Sequence, residues 1–117
     1  MEDRVQIWHN KRCSKSRNAF QWLADNNIDN ECVHYMASLI SKTELTSVLN
    51  KLNIQAFDLI RKKEKIFIKN WKGQQKTDAA WVEIMIENPQ LIERPIVIKG
   101  DKAIIARPLE LIEQLFK

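Results

Sequence analysis

Short runs of strand character lie near the two ends of the chain, at 5–8, 31–35, 95–98 and 103–106, with only helical patterning between the second and the third. Any sheet must therefore be assembled from both ends of the sequence, with the middle set apart from it. The first run, Val5-Gln6-Ile7-Trp8, has the look of a buried strand and stops at the polar turn His9-Asn10-Lys11-Arg12. From 14 to about 26, Ala19, Trp22 and Leu23 recur at helical spacing, which predicts a helix with one buried face. Asn26-Asn27 and Asp29-Asn30 mark its exit and a turn. A strand over 31–35 would then place Cys32 and His34 on one side and Val33 and Tyr35 on the other.

The middle of the chain begins with Ser41-Lys42-Thr43-Glu44, a capping box in which Ser41 and Glu44 satisfy each other's free backbone donors. It opens a helix with Leu45, Val48, Leu49 and Leu52 on one face. A short helix is expected over 56–63, carrying Phe57, Leu59 and Ile60, and Gly73 marks a turn. Thr77 or Asp78 caps a further helix that buries Trp81, Ile84 and Met85 and ends at Asn88-Pro89. The last two strand runs are joined by Lys99-Gly100-Asp101-Lys102, a hairpin signal that makes them antiparallel. Pro108 suits the first position of a closing helix that turns Leu109, Ile112, Leu115 and Phe116 inward. The order is βαβ, a helical insert, then ββα. It predicts an α/β fold of thioredoxin-like type, with a mixed sheet and a helical insert. The expected organisation is one domain over 1–117 with the insert at about 54–90.

Composition narrows the function classes. A chain of 117 residues with four tryptophans is long enough for one real core. No apolar run approaches the roughly 20 residues of a membrane span. Met1-Glu2-Asp3-Arg4 lacks the basic-then-apolar pattern of a signal peptide, so a cytoplasmic protein with no membrane partner is expected. Two cysteines in such a chain point to chemistry or burial rather than to a structural disulfide. The formal charge of +4 is concentrated in Arg61, Lys62, Lys63, Lys65, Lys69, Lys72 and Lys76. Because Ile66, Phe67, Ile68 and Trp71 interrupt it, this stretch reads as a solvated face over an apolar interior. Small-anion binding ranks next and nucleic acid last, so no nucleic-acid partner is expected.

Cys13 carries the chemistry. It stands where the first helix begins, and a helix start offers unpaired N–H groups and a dipole that favour an anion. A cysteine there is biased toward thiolate, the nucleophilic form. Arg12, Lys15 and Arg17 add positive charge around it. The pattern is Cys-x-x-Ser, so Ser16 supplies no second thiol for a local disulfide. Cys32, in an apolar strand without nearby cations, reads as a buried thiol, and a resolving role would require it to meet Cys13 across the fold. His9 either polarises the thiol or is a strand-end histidine satisfied by backbone, and His34 reads as structural. The spacings His-x-x-x-Cys and Cys-x-His fit no usual zinc pattern, so no metal is expected. Arg94-Pro95 and Arg107-Pro108 bracket the hairpin. With Arg61 they supply fork-shaped donors suited to a tetrahedral oxyanion near a thiolate.

These motifs occur in one order along nearly the whole chain: His9-Asn10, Cys13-Ser14-Lys15-Ser16-Arg17, Leu59-Ile60-Arg61-Lys62-Lys63-Glu64, Glu87-Asn88-Pro89, Glu93-Arg94-Pro95-Ile96 and Ala106-Arg107-Pro108. Together they resemble the glutaredoxin-dependent arsenate reductase family, which also contains the Spx-type regulators. The resemblance implies Cys13 as catalytic cysteine and Arg61, Arg94 and Arg107 as oxyanion-binding arginines. It implies His9, Ser16 and Arg17 as thiolate-supporting residues and Pro95 as the cis-proline of the thioredoxin-like fold. It further implies arsenate or a similar oxyanion as substrate, no bound cofactor, and glutathione and glutaredoxin as outside reductants. Lys11 stands where a proline commonly follows His-Asn, and 64–76 is unusually rich in lysine for the family. Two other activities suit the same motifs: a glutathione-dependent thiol reductase with another substrate, and a regulator that binds RNA polymerase. Spx-type regulators generally carry Cys-x-x-Cys, and Ser16 removes that redox switch.

Overall fold

A computed structural model of the protein describes residues 4–37 and 40–116. The Met1-Glu2-Asp3 part of the stretch read for targeting lies outside them. The chain divides into two compact units, one formed by Met1–Ser38 with Arg94–Lys117 and the other by Leu39–Glu93. No helix among the described residues is long and apolar enough to cross a membrane.

The first unit is built on a mixed sheet of order β2-β1-β3-β4. Its strands are β1 (Val5–Trp8), β2 (Glu31–Val33), β3 (Ile96–Lys99) and β4 (Lys102–Ile105). β1 runs parallel to β2 and antiparallel to β3, and β3 is antiparallel to β4. α1 (Ser14–Asp25) makes the crossover between the parallel strands. It stops where Asn27 takes a left-handed φ of 56° and its N–H bonds to the Ala24 carbonyl at 3.1 Å. Ile7, Ala19, Leu23, Val97, Ala106, Ile112 and Leu115 form the core of the unit. Fully burying such aliphatic side chains contributes about 1.5–3 kcal/mol each, which is what ties α1 and the C-terminal helix to the sheet.

Two of its elements differ from the sequence expectation. The 31–35 strand ends at Val33, whose carbonyl accepts the His9 N–H at 2.9 Å, the last bond before β1 gives way to the turn. With no partner backbone beyond that point, His34 leaves the strand. Tyr35 enters a turn, where its ring stacks on Trp8 at 6.0 Å. The closing helix does not start at Pro108. That residue is extended (φ −68°, ψ 163°) and precedes a 3-10 turn, Leu109–Leu111, before the short α5 (Ile112–Leu115). The hairpin turn is the expected tight one: Gly100 and Asp101 fill it, Lys99 pairs with Lys102, and Gly100 takes a φ of 60° that a side chain would resist.

The second unit contains α2 (Lys42–Leu52), α3 (Lys65–Asn70) and α4 (Asp78–Glu87), with 3-10 turns at Ala56–Leu59 and Pro89–Leu91. The capping box is formed: Glu44 N–H donates to Ser41 Oγ at 3.1 Å, and Ser41 N–H donates to Glu44 Oε1 at 3.2 Å. Thr77 caps α4 through the Ala80 N–H at 3.2 Å, while Asp78 Oδ1 accepts the Ala56 N–H at 3.3 Å. α2 packs on α4, and Phe57, Phe67 and Trp81 cluster with ring centroids 5.3–6.2 Å apart. The helix expected over 56–63 is cut short at Leu59. Ile60 turns extended to form a β-bridge with Ile92, fixed by Arg61 N–H to Leu91 O at 2.7 Å and Glu93 N–H to Leu59 O at 2.9 Å. A short helix, α3, then appears where the sequence reading placed none. Its buried Phe67 joins the aromatic cluster.

Candidate active site

The sheet register gathers most of the chemistry-bearing residues of the first unit at one end. Trp8, Ile96 and Ile105 are successive partners across β1, β3 and β4. The residues just beyond that row are therefore neighbours: His9 and the turn to Cys13 after β1, Arg94-Pro95 before β3, and Ala106-Arg107 after β4. Folding the hairpin brings Arg94 and Arg107, far apart in sequence, to the same end. Both Arg-Pro peptide bonds are cis. The Ala106 N–H bonds to the Pro95 carbonyl at 2.9 Å, and Arg107 Nη1 reaches the Arg94 carbonyl at 3.5 Å, the limit of hydrogen-bond range.

Cys13 is the N-cap of α1, in extended backbone (φ −98°, ψ 122°) and partly buried. Burial alone pushes its thiol up. Against that act the backbone N–H of Ser16, the Arg94 guanidinium and the backbone N–H of Lys15, and together they hold the thiol below its ordinary value. No closed capping bond runs from the sulfur to the helix. The Ser16 and Lys15 amides thus act as dipoles oriented on Sγ rather than as a strict hydrogen-bonded cap. The charge that matters comes from Arg94, distant in sequence, and not from the side chains of neighbouring Arg12, Lys15 or Arg17. Arg94 Nε is buried and has no hydrogen-bond partner among the described residues. A buried guanidinium donor thus lies beside a thiol whose ionised form is favoured, and it has hydrogen-bonding capacity still to offer there.

Ser16 is completely buried and its hydroxyl is a junction. Oγ accepts the Asn10 N–H at 2.9 Å and lies 2.7 Å from His9 Nδ1. His9 is buried, and desolvation with the nearby His34, Lys11 and Arg17 holds it below the usual imidazole value, which favours the neutral ring. The arrangement that satisfies every group has Ser16 O–H donating to Nδ1, which leaves the ring proton on Nε2. His9 thus meets Ser16 and not the thiol, and Phe20 stacks on its ring at 5.2 Å. Arg17 Nη1 donates to the Lys11 carbonyl at 2.7 Å and so braces the turn.

Asn10 had no role in the sequence reading beyond its place in a motif. Its side chain accepts the Arg12 N–H at 3.0 Å and its carbonyl accepts the Cys13 N–H at 3.0 Å. With its own N–H on Ser16, Asn10 shapes the turn that presents Cys13. An Asn two residues before a turn donor was the available signal. Cys32, by contrast, packs against the apolar core, and burial raises its thiol. Arg61 belongs to the second unit, where Glu93 Oε1 lies 3.3 Å from its Nε and Glu64 Oε2 3.8 Å from its Nη1. The described residues hold no cluster of three or more His, Cys, Asp or Glu side chains placed to hold a metal ion.

A thioredoxin-like fold with one stabilised thiolate at a helix N-terminus, a serine three residues on and arginines at the cis-proline end defines a class of single-thiol proteins. The sequence profile of the ArsC family matches residues 8–115, and the chain belongs to that family. An arsenate reductase of Neisseria meningitidis is 36% identical over 111 residues, spanning 93% of this chain and 95% of that protein. The uncharacterized protein YfgD of Escherichia coli is 35% identical over 117 residues, 98% of either chain. The structure of an arsenate reductase from Vibrio cholerae aligns with a TM-score of 0.90 at 32% identity, covering 97% of this chain and 98% of the other.

Proposed function

We propose that the protein is an arsenate reductase in which Cys13 is the nucleophile and Arg94 and Arg107 bind the oxyanion. The observation that carries the proposal is the Arg94 guanidinium: it stabilises the Cys13 thiolate and keeps one buried donor unpaired. The Cys13 sulfur attacks arsenic and displaces one oxygen, which leaves as water after protonation. The arginines hold the remaining charged oxygens. A thiol from outside then attacks the Cys13 sulfur. The S–As bond breaks with its electron pair on arsenic, so As(V) becomes As(III) and departs as arsenite, and Cys13 is left in a mixed disulfide. A second thiol exchanges with that disulfide, restoring the thiolate and releasing the oxidised reductant. The outside thiol is needed because the position that would hold a resolving cysteine is Ser16, whose hydroxyl is committed to His9 and Asn10.

Glutathione and glutaredoxin are the reductants proposed, in the cytoplasm where such thiols stay reduced. No bound cofactor enters. His9, Ser16 and Arg17 support the turn and helix start, and Pro95 holds the backbone beside Arg94. The resemblance adds Arg61 to the oxyanion set. Its two carboxylate neighbours give it a structural alternative, so the proposal rests on Arg94 and Arg107. The test is an NADPH-coupled assay with glutathione, glutathione reductase and glutaredoxin. Arsenate-dependent oxidation that disappears in Cys13→Ser supports the reading. Turnover that is independent of arsenate moves the protein to a thiol reductase with another substrate, and no turnover with either removes the enzymatic reading.

A further inference from the structure

A cavity of about 380 Å³ opens in the first unit, lined by His9, Asn10, Lys11, Arg12, His34, Met36 and Ala37. The oxyanion chemistry at Cys13 makes no use of it. Its volume lies in the roughly 300–1,000 Å³ range of small-molecule sites. Lys11 and Arg12 place cations at its wall, and no carboxylate lines it among the described residues. The His9 and His34 rings lie 6.0 Å apart. Since Nδ1 of His9 is engaged by Ser16 Oγ, the N–H that His9 has left to offer is at Nε2. The lining thus sets two cations and the N–H groups of His9 and Asn10 beside the apolar Met36 and Ala37, with the Asn10 Oδ1 already taken by the Arg12 N–H, which suits an anion carried on a partly apolar body. The turn that forms its wall ends at Cys13, and Ser16 joins the two places: its hydroxyl holds the cavity's His9 while its backbone N–H acts on the thiolate.

We infer that this cavity seats the carboxylate-bearing end of the small anionic thiol that resolves the Cys13 adduct, so that oxyanion and thiol occupy separate places on either side of one turn. The inference rests on the reading of Cys13 as a nucleophile that needs an outside thiol. The division of labour is economical in chemistry: a thiol held by its carboxylate need not compete with arsenate for Arg94 and Arg107.

Two measurements on the full chain test it. S-methylglutathione, which cannot form a disulfide, is titrated while backbone amide signals are followed, with its dimethyl ester as the uncharged control. The largest shifts are expected at 10–12 and 34–37, and they should be much reduced for the ester. In the coupled assay, Lys11→Ala with Arg12→Ala should raise the apparent constant for glutathione about tenfold, the loss typical of charge-assisted bonds, and leave that for arsenate near its starting value. Filling the cavity with Met36→Trp should do the same. Equal shifts from acid and ester, shifts centred elsewhere, or an unchanged glutathione constant in both variants overturns the site. If the wild type shows no arsenate-dependent turnover, the reading of its function fails, and the titration alone still decides whether the cavity binds a carboxylate.

Discussion

Cys13 and Cys32 belong to the same unit and are both partly buried, yet their surroundings push them in opposite directions. Desolvation raises both thiols. At Cys32 it is opposed only by the charge of Lys11, and the thiol stays above its ordinary value. At Cys13 it is outweighed by the amides of Ser16 and Lys15 and by Arg94. Partial burial is therefore no guide to reactivity here. What differs is that Cys32 lies within a strand, where the backbone N–H groups are spoken for by the ladder or face away, whereas Cys13 opens a helix with donors to spare.

The largest expected break in this comparison is chemical. Cys13→Ser should lower arsenate turnover by about 10³-fold or more, as removal of a nucleophile does, while Cys32→Ser keeps most of it. Similar losses in both would mean a two-cysteine mechanism. Next comes the charge that separates them. Arg94→Ala should cost roughly ten- to a hundredfold in the apparent constant for arsenate and move the iodoacetamide rate profile of Cys13 to higher pH. Arg94→Lys should recover only part, because an ammonium lacks the planar fork. An unmoved alkylation profile in Arg94→Ala would show that the helix start alone activates the thiol. In the wild type, Cys13 should alkylate at lower pH than Cys32.

Smaller effects probe the support around Cys13. Ser16→Ala strands the Asn10 N–H and His9 Nδ1 in a buried place and should cost about 1–3 kcal/mol of stability, measured by urea unfolding. An unchanged midpoint would remove Ser16 from the account. The smallest effect is the titration of His9. Its folded value lies below the ordinary 6.5, so as pH falls under that value the unfolded chain takes up a proton that the folded one refuses. Stability from this group is complete above 6.5 and declines as pH drops toward the folded value. His9→Asn should flatten that slope, and an identical slope in the variant would assign it to other groups.

Some of the fold was legible because the signals were local. The capping box at Ser41, the Thr77 cap, the strand at Val5–Trp8 and the hairpin turn at Gly100-Asp101 each depend on residues a few positions apart. The errors fell where a distant partner decided. The helix expected over 56–63 lost its second half because Ile60 bridges Ile92, and no window around Ile60 contains that information. α3 was missed because its lysines carry little periodic signal, and one buried Phe67 in a cluster with Trp81 is enough to anchor so short a helix. β2 stopped early for want of backbone to pair with.

The site divides along the same line. That Cys13 is a single thiol at a helix start, with serine in place of a second cysteine, is a matter of neighbours in sequence, and the sequence by itself determined it. Which cation stabilises the thiolate was decided by the tertiary structure. The obvious candidates, Arg12, Lys15 and Arg17, are adjacent along the chain, but Arg17 turns to the Lys11 carbonyl, while the sheet register places Arg94 at the sulfur. Likewise His9 proved to be held by Ser16, and His34 to border a cavity, because the turn after β1 and the early end of β2 fix where those rings stand. Electrostatic attraction falls with distance through space and takes no account of separation along the chain, so the partners of an ionised group emerge only when the strands are paired.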